Sequence, residues 1–269
     1  MKLSISNIAW EAKDDEKVYG YMKQHGFTGV EIAPTRWIME APYDHVPEAA
    51  AIAEKLESEY GFVVPSMQSI WFGRSERIFF DEEERRILLD YTKKAIDYSA
   101  AIGCQNLVFG CPRNRKVEEE WGLSKEQVDA IAIEFFKELG DYAYAKGTVV
   151  GMEANPPIYN TNYMNTTTEA LELVEKVDSK GFLLNLDMGT MIQNEEDITL
   201  LVGKIPMINH VHISEPGLKL IEKRELHRTL AGILQAEGYD RYVSIEMGKQ
   251  ENVEAVEATL QYVAEVFHD

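Results

Sequence analysis

The chain has 269 residues, of which 45% are hydrophobic and 27% charged, with a formal net charge of −19 at pH 7. That length suits one α/β barrel of about 250 residues. The acidity disfavours nucleic acid, whose phosphates repel such a surface, and no Lys/Arg cluster interleaved with aromatics offsets it. No apolar run approaches the roughly 20 residues of a membrane span, so no membrane association is expected. The N-terminal "MKLSISNIAW" lacks the apolar segment of a signal peptide and reads directly as a strand, so a cytoplasmic protein is expected.

In chain order, eight short apolar runs alternate with longer amphipathic ones. The apolar runs are "KLSISN", "GVEIAP", "FVVPSMQS", "NLVFGCP", "VVGMEANP", "FLLNLDMG", "INHVHISE" and "YVSIEMG". Between the third and fourth, "FDEEERR" leads into "EERRILLDYTKKAIDYSAAIG". After the fourth comes "KEQVDAIAIEFFKELGDYAYAKG", with Val128, Ile131, Ile133, Phe135, Leu139 and Tyr142 near helical spacing. These two helices close on Gly103 and Gly147, where a left-handed cap belongs. "NTTTEALELVEKV" starts another helix on capping threonines, and "NVEAVEATLQYVAEVF" is the last. His227 falls on a helix face and receives no role. The acidic runs "FDEEERR" and "KVEEEW" read as solvated faces. Cys104 and Cys111 match no zinc spacing and read as buried free thiols.

Strict alternation of strand and helix implies a parallel sheet, and eight units without a composition break imply one closed (β/α)8 TIM barrel over residues 1–269. A doubly wound open sheet is the rival, but no G-x-G-x-x-G follows the first strand and no Walker loop occurs. Barrel sites lie at the C-terminal ends of the strands. There the fifth expected strand ends in Glu153, the sixth in Asp187, the seventh in His210 and His212, and the eighth in Glu246. Neighbouring strands bring these side chains into one small volume, where three carboxylates repel one another unless a cation neutralises them. One divalent ion fits that set, Mn²⁺ foremost, with Mg²⁺, Co²⁺ and Zn²⁺ as alternatives. His210 and His212 share a face by parity, so position alone does not choose between them.

The stretches "VVGMEANP", "LLNLDMGT", "HVHISEPG" and "GYDRYVSIEMG" resemble the xylose-isomerase-like sugar phosphate isomerase/epimerase superfamily. Its members include tagatose and psicose 3-epimerases, hydroxypyruvate isomerase, inosose dehydratase and endonuclease IV. The resemblance covers the whole chain from "LSISNIAW" and "GFTGVEIAP" onward. It implies that Glu153, Asp187, His212 and Glu246 bind one metal, with His210 in support. Two positions depart from the pattern. Thr190 stands where the epimerases and endonuclease IV carry a His, and Leu218 stands where a cation is common, leaving Lys219 as the nearest one. With six histidines, and none at the ends of the third or fourth expected strands, a trinuclear nuclease site is not expected.

Glu153 and Glu246, on opposite sides of a substrate, suit proton abstraction next to a carbonyl, with a metal favouring the enediolate that forms. The expected function is therefore a divalent-metal-dependent sugar or sugar-phosphate isomerase or epimerase, with a small-molecule partner and compatible with a homo-oligomer. A lyase of the inosose-dehydratase type and a non-catalytic sugar-binding barrel subunit are the alternatives. The expected substrate contacts are Asn7, Glu31, Arg36, Gln68, Trp71, Asn185, His210 and Lys219. Trp10, Arg74, Arg113 and Arg115 also follow strand ends, where aromatic faces suit a sugar ring and an Arg suits an anion.

Overall fold

Each apolar run is bounded by turn residues and too short for a stable helix. Seven of the eight form strands of one parallel sheet in the computed structural model, which describes residues 1–268. They are β1 (Lys2–Ser6), β2 (Gly29–Glu31), β3 (Leu107–Phe109), β4 (Val150–Met152), β5 (Phe182–Asp187), β6 (Ile208–Ser214) and β7 (Tyr242–Glu246). The order β2-β1-β7-β6-β5-β4-β3 leaves β2 and β3 as the two edges.

The expected third strand, "FVVPSMQS", fills the gap between those edges without forming a ladder. Val63 bridges Gly29, and Met67 bridges both Ile32 and Leu107. Met67 N donates to Asn106 O at 2.9 Å, and Val108 N donates to Met67 O at 2.8 Å. Pro65 explains the interruption, because it has no N–H to give and a central strand needs one. The sheet is therefore an α/β barrel of seven strands, closed by an irregular eighth segment. From β3 onward the strands are the fourth to eighth expected ones.

The helices surround this sheet. They are α1 (Asp15–Gln24), α2 (Pro34–Trp37), α3 (Val46–Lys55), α4 (Glu82–Ala101), α5 (Lys125–Ala145), α6 (Thr167–Val177), α7 (Met188–Gln193), α8 (Glu225–Ala236) and α9 (Val253–Phe267). Among the described residues, no helix is long and apolar enough to cross a membrane. Their ends carry the expected signals. Ser124 and Thr166 each form a capping box, and Gly103 and Gly147 adopt φ of 70° and 80° just past α4 and α5.

Strand alternation divides the side chains into two sets. Leu3, Ile5, Val211, Ile213, Val243 and Ile245 are buried in the apolar core, where Phe136 of α5 also stacks on Phe182 of β5 at 4.8 Å. The intervening residues are Ser4, Ser6, His210, His212, Ser214, Ser244 and Glu246, all buried, so the barrel interior is polar. A register shift sets its arrangement. Leu184 pairs with Ile208 but Asn185 pairs with His210, so β6 carries one extra residue, Asn209. Beyond that bulge Asp187 pairs with His212, which brings the polar sets of β5 and β6 into phase.

The interrupted segment depends on a glycine opposite it. A Cβ on Gly29 would lie 2.8 Å from Pro65 Cγ and 2.8 Å from Tyr242 Cε1. Both rings are held within the barrel wall, so Gly29→Ala is expected to lower stability by about 1–3 kcal/mol through overpacking. Urea unfolding at unchanged m-value measures this, and a variant as stable as the parent would contradict the tight closure.

Candidate metal centre

The C-terminal ends of β4 to β7 converge on one point. Glu153, Asp187, His212 and Glu246 each offer a ligand atom, and these atoms all lie within 4.8 Å of one another, all four residues being buried. His212 Nδ1 faces the group, 3.0 Å from Glu153 Oε1 and 3.3 Å from Glu246 Oε2. Its other nitrogen, Nε2, lies 2.9 Å from Glu31 Oε2. A proton on Nε2 donated to Glu31 leaves the Nδ1 lone pair directed at the three carboxylates, the tautomer a metal-binding His requires.

Each carboxylate is held by its own donors. Glu153 Oε1 accepts from Asn185 Nδ2 at 2.9 Å, and its Oε2 accepts from Asn155 Nδ2 at 3.0 Å. Asp187 is the N-cap of α7, where its Oδ2 accepts from Thr190 N at 2.7 Å. The Ser214 hydroxyl donates to Asp187 Oδ1. Thr190 Oγ1 sits 2.7 Å from Asp187 Oδ2 and 2.8 Å from Ala154 O, so this residue braces a carboxylate in place of an imidazole.

The electrostatics show how crowded the group is. Burial, then the nearby Glu153 charge, raises the Asp187 pKa, and burial raises that of Glu246. Burial alone would lower the pKa of His212, but the carboxylates of Glu31, Glu246 and Glu153 outweigh it and hold the imidazole well above its usual range. Burial likewise opposes ionisation of Glu31, and its two histidines prevail and hold the carboxyl below its usual range. His210 Nε2 is 3.2 Å from the same Glu31 oxygen, and burial depresses its pKa. Three carboxylates and one imidazole nitrogen within this span are a donor set suited to a divalent cation, with hard oxygens outnumbering the single nitrogen.

A cavity of about 410 Å³ opens beside the group, and Glu153, Asp187 and Glu246 line it. Gln68 and Trp71 line it as well. The Gln68 amide donates to Ser6 Oγ, and Trp71 Nε1 donates to Thr92 Oγ1 at 2.8 Å. The other expected substrate contacts lie elsewhere. Asn185, His210 and Glu31 sit behind the carboxylates, buried and off the cavity wall, where Asn185 contacts Glu153, Glu31 contacts His212, and His210 lies beside Glu31. Asn7 Oδ1 accepts from Ala33 N at 3.0 Å and ties two loops together. Arg36 is paired with Asp15 at 2.7 Å, drawn there by the acidic start of α1. Lys219 is exposed; the preceding Leu218, at φ 53°, turns to the cavity instead.

Two arginines and a cysteine also differ from expectation. Arg115 is fully buried and off the cavity wall. It donates to the carbonyls of Tyr163 at 3.0 Å and Glu153 at 2.9 Å, to Gly110 O, and to Asn155 Oδ1 at 2.9 Å. Burial lowers its pKa to about 10. Arg74 lines the cavity but is neutralised by Glu76. Cys104 is buried as expected, whereas Cys111 is only partly buried and lines the cavity. Ser214 and Asn155 escaped the sequence reading, yet each lies two residues past a ligand candidate, a spacing that marks a shared strand face. Tyr159 and Glu215 come from loops that carry no such periodicity.

Residues 20–266 match the family model described as a xylose isomerase-like TIM barrel. No curated protein matches the sequence. Among solved structures, a D-psicose 3-epimerase with D-tagatose from Clostridium cellulolyticum H10 superposes with a TM-score of 0.77 at 17% identity, covering 99% of each chain. The apo 3-keto-D-glucoside 4-epimerase of E. coli gives a TM-score of 0.76 at 20% identity, covering 98% of this chain and 99% of that one. The IOLI protein with a bound zinc atom gives 0.67 at 17% identity, covering 100% and 95%. At such identities the likeness is one of fold, whereas the family match is one of sequence along most of the length. With its strands in barrel order and its acidic strand ends on one face, the chain belongs to the xylose isomerase-like TIM barrel family.

Proposed function

We propose that this protein is a divalent-metal-dependent sugar isomerase or epimerase that moves a proton on a carbon next to a carbonyl. The observation that carries the reading is the pair Glu153 and Glu246. Both line the same cavity, from strands β4 and β7 on either side of β5 and β6, and both contact His212 Nδ1. The similar folds of a psicose epimerase crystallised with D-tagatose and of a ketoglucoside epimerase add support.

In this reading Glu153, Asp187, His212 Nδ1 and Glu246 hold one ion, with Mn²⁺ the first candidate and Mg²⁺, Co²⁺ or Zn²⁺ compatible. When bound, such an ion supplies positive charge that acidifies the substrate C–H through its neighbouring oxygens. The rest falls to the chain. Gln68 and Trp71 bound the space for the sugar. Asn155 and Asn185 fix both oxygens of Glu153, so that the carboxylate meets the substrate in one orientation. One glutamate accepts the proton from the carbon next to the carbonyl. Return of a proton to the opposite face of that carbon by the other glutamate inverts the centre. Return to the former carbonyl carbon, with the neighbouring hydroxyl proton passing to the other oxygen, interconverts aldose and ketose.

Glu31 acts one step back, through His212. Glu31→Gln keeps the shape of the side chain but removes the charge that orients the imidazole. We expect Mn²⁺ affinity to fall by about 10–100-fold, the usual effect of removing such a partner. Calorimetric titration of metal-free protein measures it, and an unchanged dissociation constant would show that Glu31 does not support the site.

The decisive experiment follows solvent deuterium. With Mn²⁺ and a panel of ketoses, aldoses and their phosphates in D₂O, the protein should place deuterium on the carbon next to the carbonyl, read by NMR and mass spectrometry. Glu246→Gln should retain substantial metal while turnover falls by about 10²–10⁴, the usual contribution of a positioned base. Products free of solvent deuterium, together with near-normal turnover in Glu246→Gln, would exclude the two-glutamate proton transfer.

A further inference from the structure

The charges that line the cavity do not balance. Its acidic residues are Glu153, Asp187, Glu215 and Glu246, and its basic ones are Arg74 and Arg113. Glu215 is closed off by Arg224, whose Nε and Nη2 approach its two oxygens at 2.7 and 2.6 Å. Arg74 is closed off by Glu76, with Nε 3.0 Å from Oε2, and its guanidinium lies over the Tyr91 ring at 4.9 Å. Arg113 is left over. Among the described residues it is the one cation on the cavity wall with neither a carboxylate nor a hydrogen-bond acceptor. Arg113 is also exposed, so in a chain of 46 acidic and 27 basic residues its guanidinium is accessible at the cavity rim and unclaimed by a carboxylate.

Its position is fixed by its neighbours. Arg113 belongs to the turn Pro112–Arg115, which follows β3 at the end of the barrel where the carboxylates converge. Pro112 sets the start of the turn. Asn114 then pins it by donating to Arg74 O at 3.2 Å and Glu76 O at 2.8 Å, and Arg115 pins it through the buried carbonyls described above. The residue between two such anchors has a defined place on the wall, while its own side chain remains available. The other candidate cations, Arg36 and Lys219, do not reach the cavity.

We propose that Arg113 receives an anionic group of the substrate, so that the cavity selects sugars bearing a phosphate ester or a carboxylate over their neutral counterparts. The inference rests on the proposed sugar-directed activity and narrows it to a substrate class. The chemistry is that of a planar guanidinium, which offers paired N–H donors to either anion. Without such a cation the carboxylates on the wall would repel an anionic sugar.

The test compares wild type with Arg113→Gln and Arg113→Lys, all loaded with Mn²⁺. The probes are D-fructose and D-tagatose, their 6-phosphates, and D-fructuronate. Binding is measured by calorimetry and turnover by solvent deuterium exchange. The wild type should prefer anionic members, and the phosphate and uronate arms separate the two sources of charge. Arg113→Gln should raise KM and Kd for the anionic members by about 10–100-fold, the worth of a charge-assisted hydrogen bond. Its preference over the neutral parents should collapse accordingly, and Arg113→Lys should keep part of it. If wild type shows no preference for anions, whether by equal binding or by no binding of either class, the proposal is overturned. The same follows if Arg113→Gln leaves the preference intact. Exchange of deuterium into neutral sugars alone would overturn this inference and leave the proposed function standing. Anion binding through Arg113 with no exchange into any sugar would do the reverse.

Discussion

Three carboxylates buried around one imidazole are the constraint on which the rest of this structure depends. Glu153, Asp187 and Glu246 cannot share so small a volume in the ionised state without a positive charge between them. The same carboxylates, and Glu31 behind it, favour the positively charged form of His212. The same four residues form a donor set suited to a divalent cation. Its geometry is maintained by attraction from Glu31 on one side and from the carboxylates on the other.

Such a centre needs a wall that does not move, and the polar barrel interior provides it. Ser66 and Asn185 both accept from Asn106 Nδ2, at 3.1 and 3.2 Å, and Asn185 passes the chain of hydrogen bonds on to Glu153. Asn209, the extra residue of the β6 bulge, closes the same network by donating to Asn106 Oδ1 at 2.9 Å. Barrels commonly fill this space with branched apolar side chains. Here polar groups are buried at a cost that hydrogen bonds offset only in part, since the Ser4 and Ser244 hydroxyls have no partner among the described residues, and the result is orientation rather than raw stability. Gly151 belongs to the same design, since a Cβ there would lie 2.6 Å from Asn106 Oδ1.

Arg115 extends this rigidity to the loops. Its donors reach backbone carbonyls on three segments, and its contact with Asn155 continues to Glu153. A buried guanidinium without a carboxylate is costly, and burial lowers its pKa to about 10. The carbonyl oxygens repay that cost by fixing the turn that carries Arg113 and the strand end that carries Glu153. Two arginines two residues apart therefore do different work, one inside the wall and one on its surface.

The sequence by itself determined the alternation of strand and helix, the helix caps at Ser124 and Thr166, and the four acidic or imidazole strand ends, because all of these follow from local periodicity and local hydrogen bonding. Proline chemistry at position 65 was equally local, though its consequence, a barrel with seven ladders and one bridged segment, was not read from it. Only the tertiary structure decided which histidine nitrogen meets the carboxylates and that Glu31 lies behind His212 rather than before the cavity. It also separated Arg113 from Arg36 and Arg115, whose partners come from 21 and 48 residues away and are invisible to any local pattern. The in-phase meeting of Asp187 and His212 rests on the register shift between β5 and β6, a property of two strands together that neither strand's sequence contains.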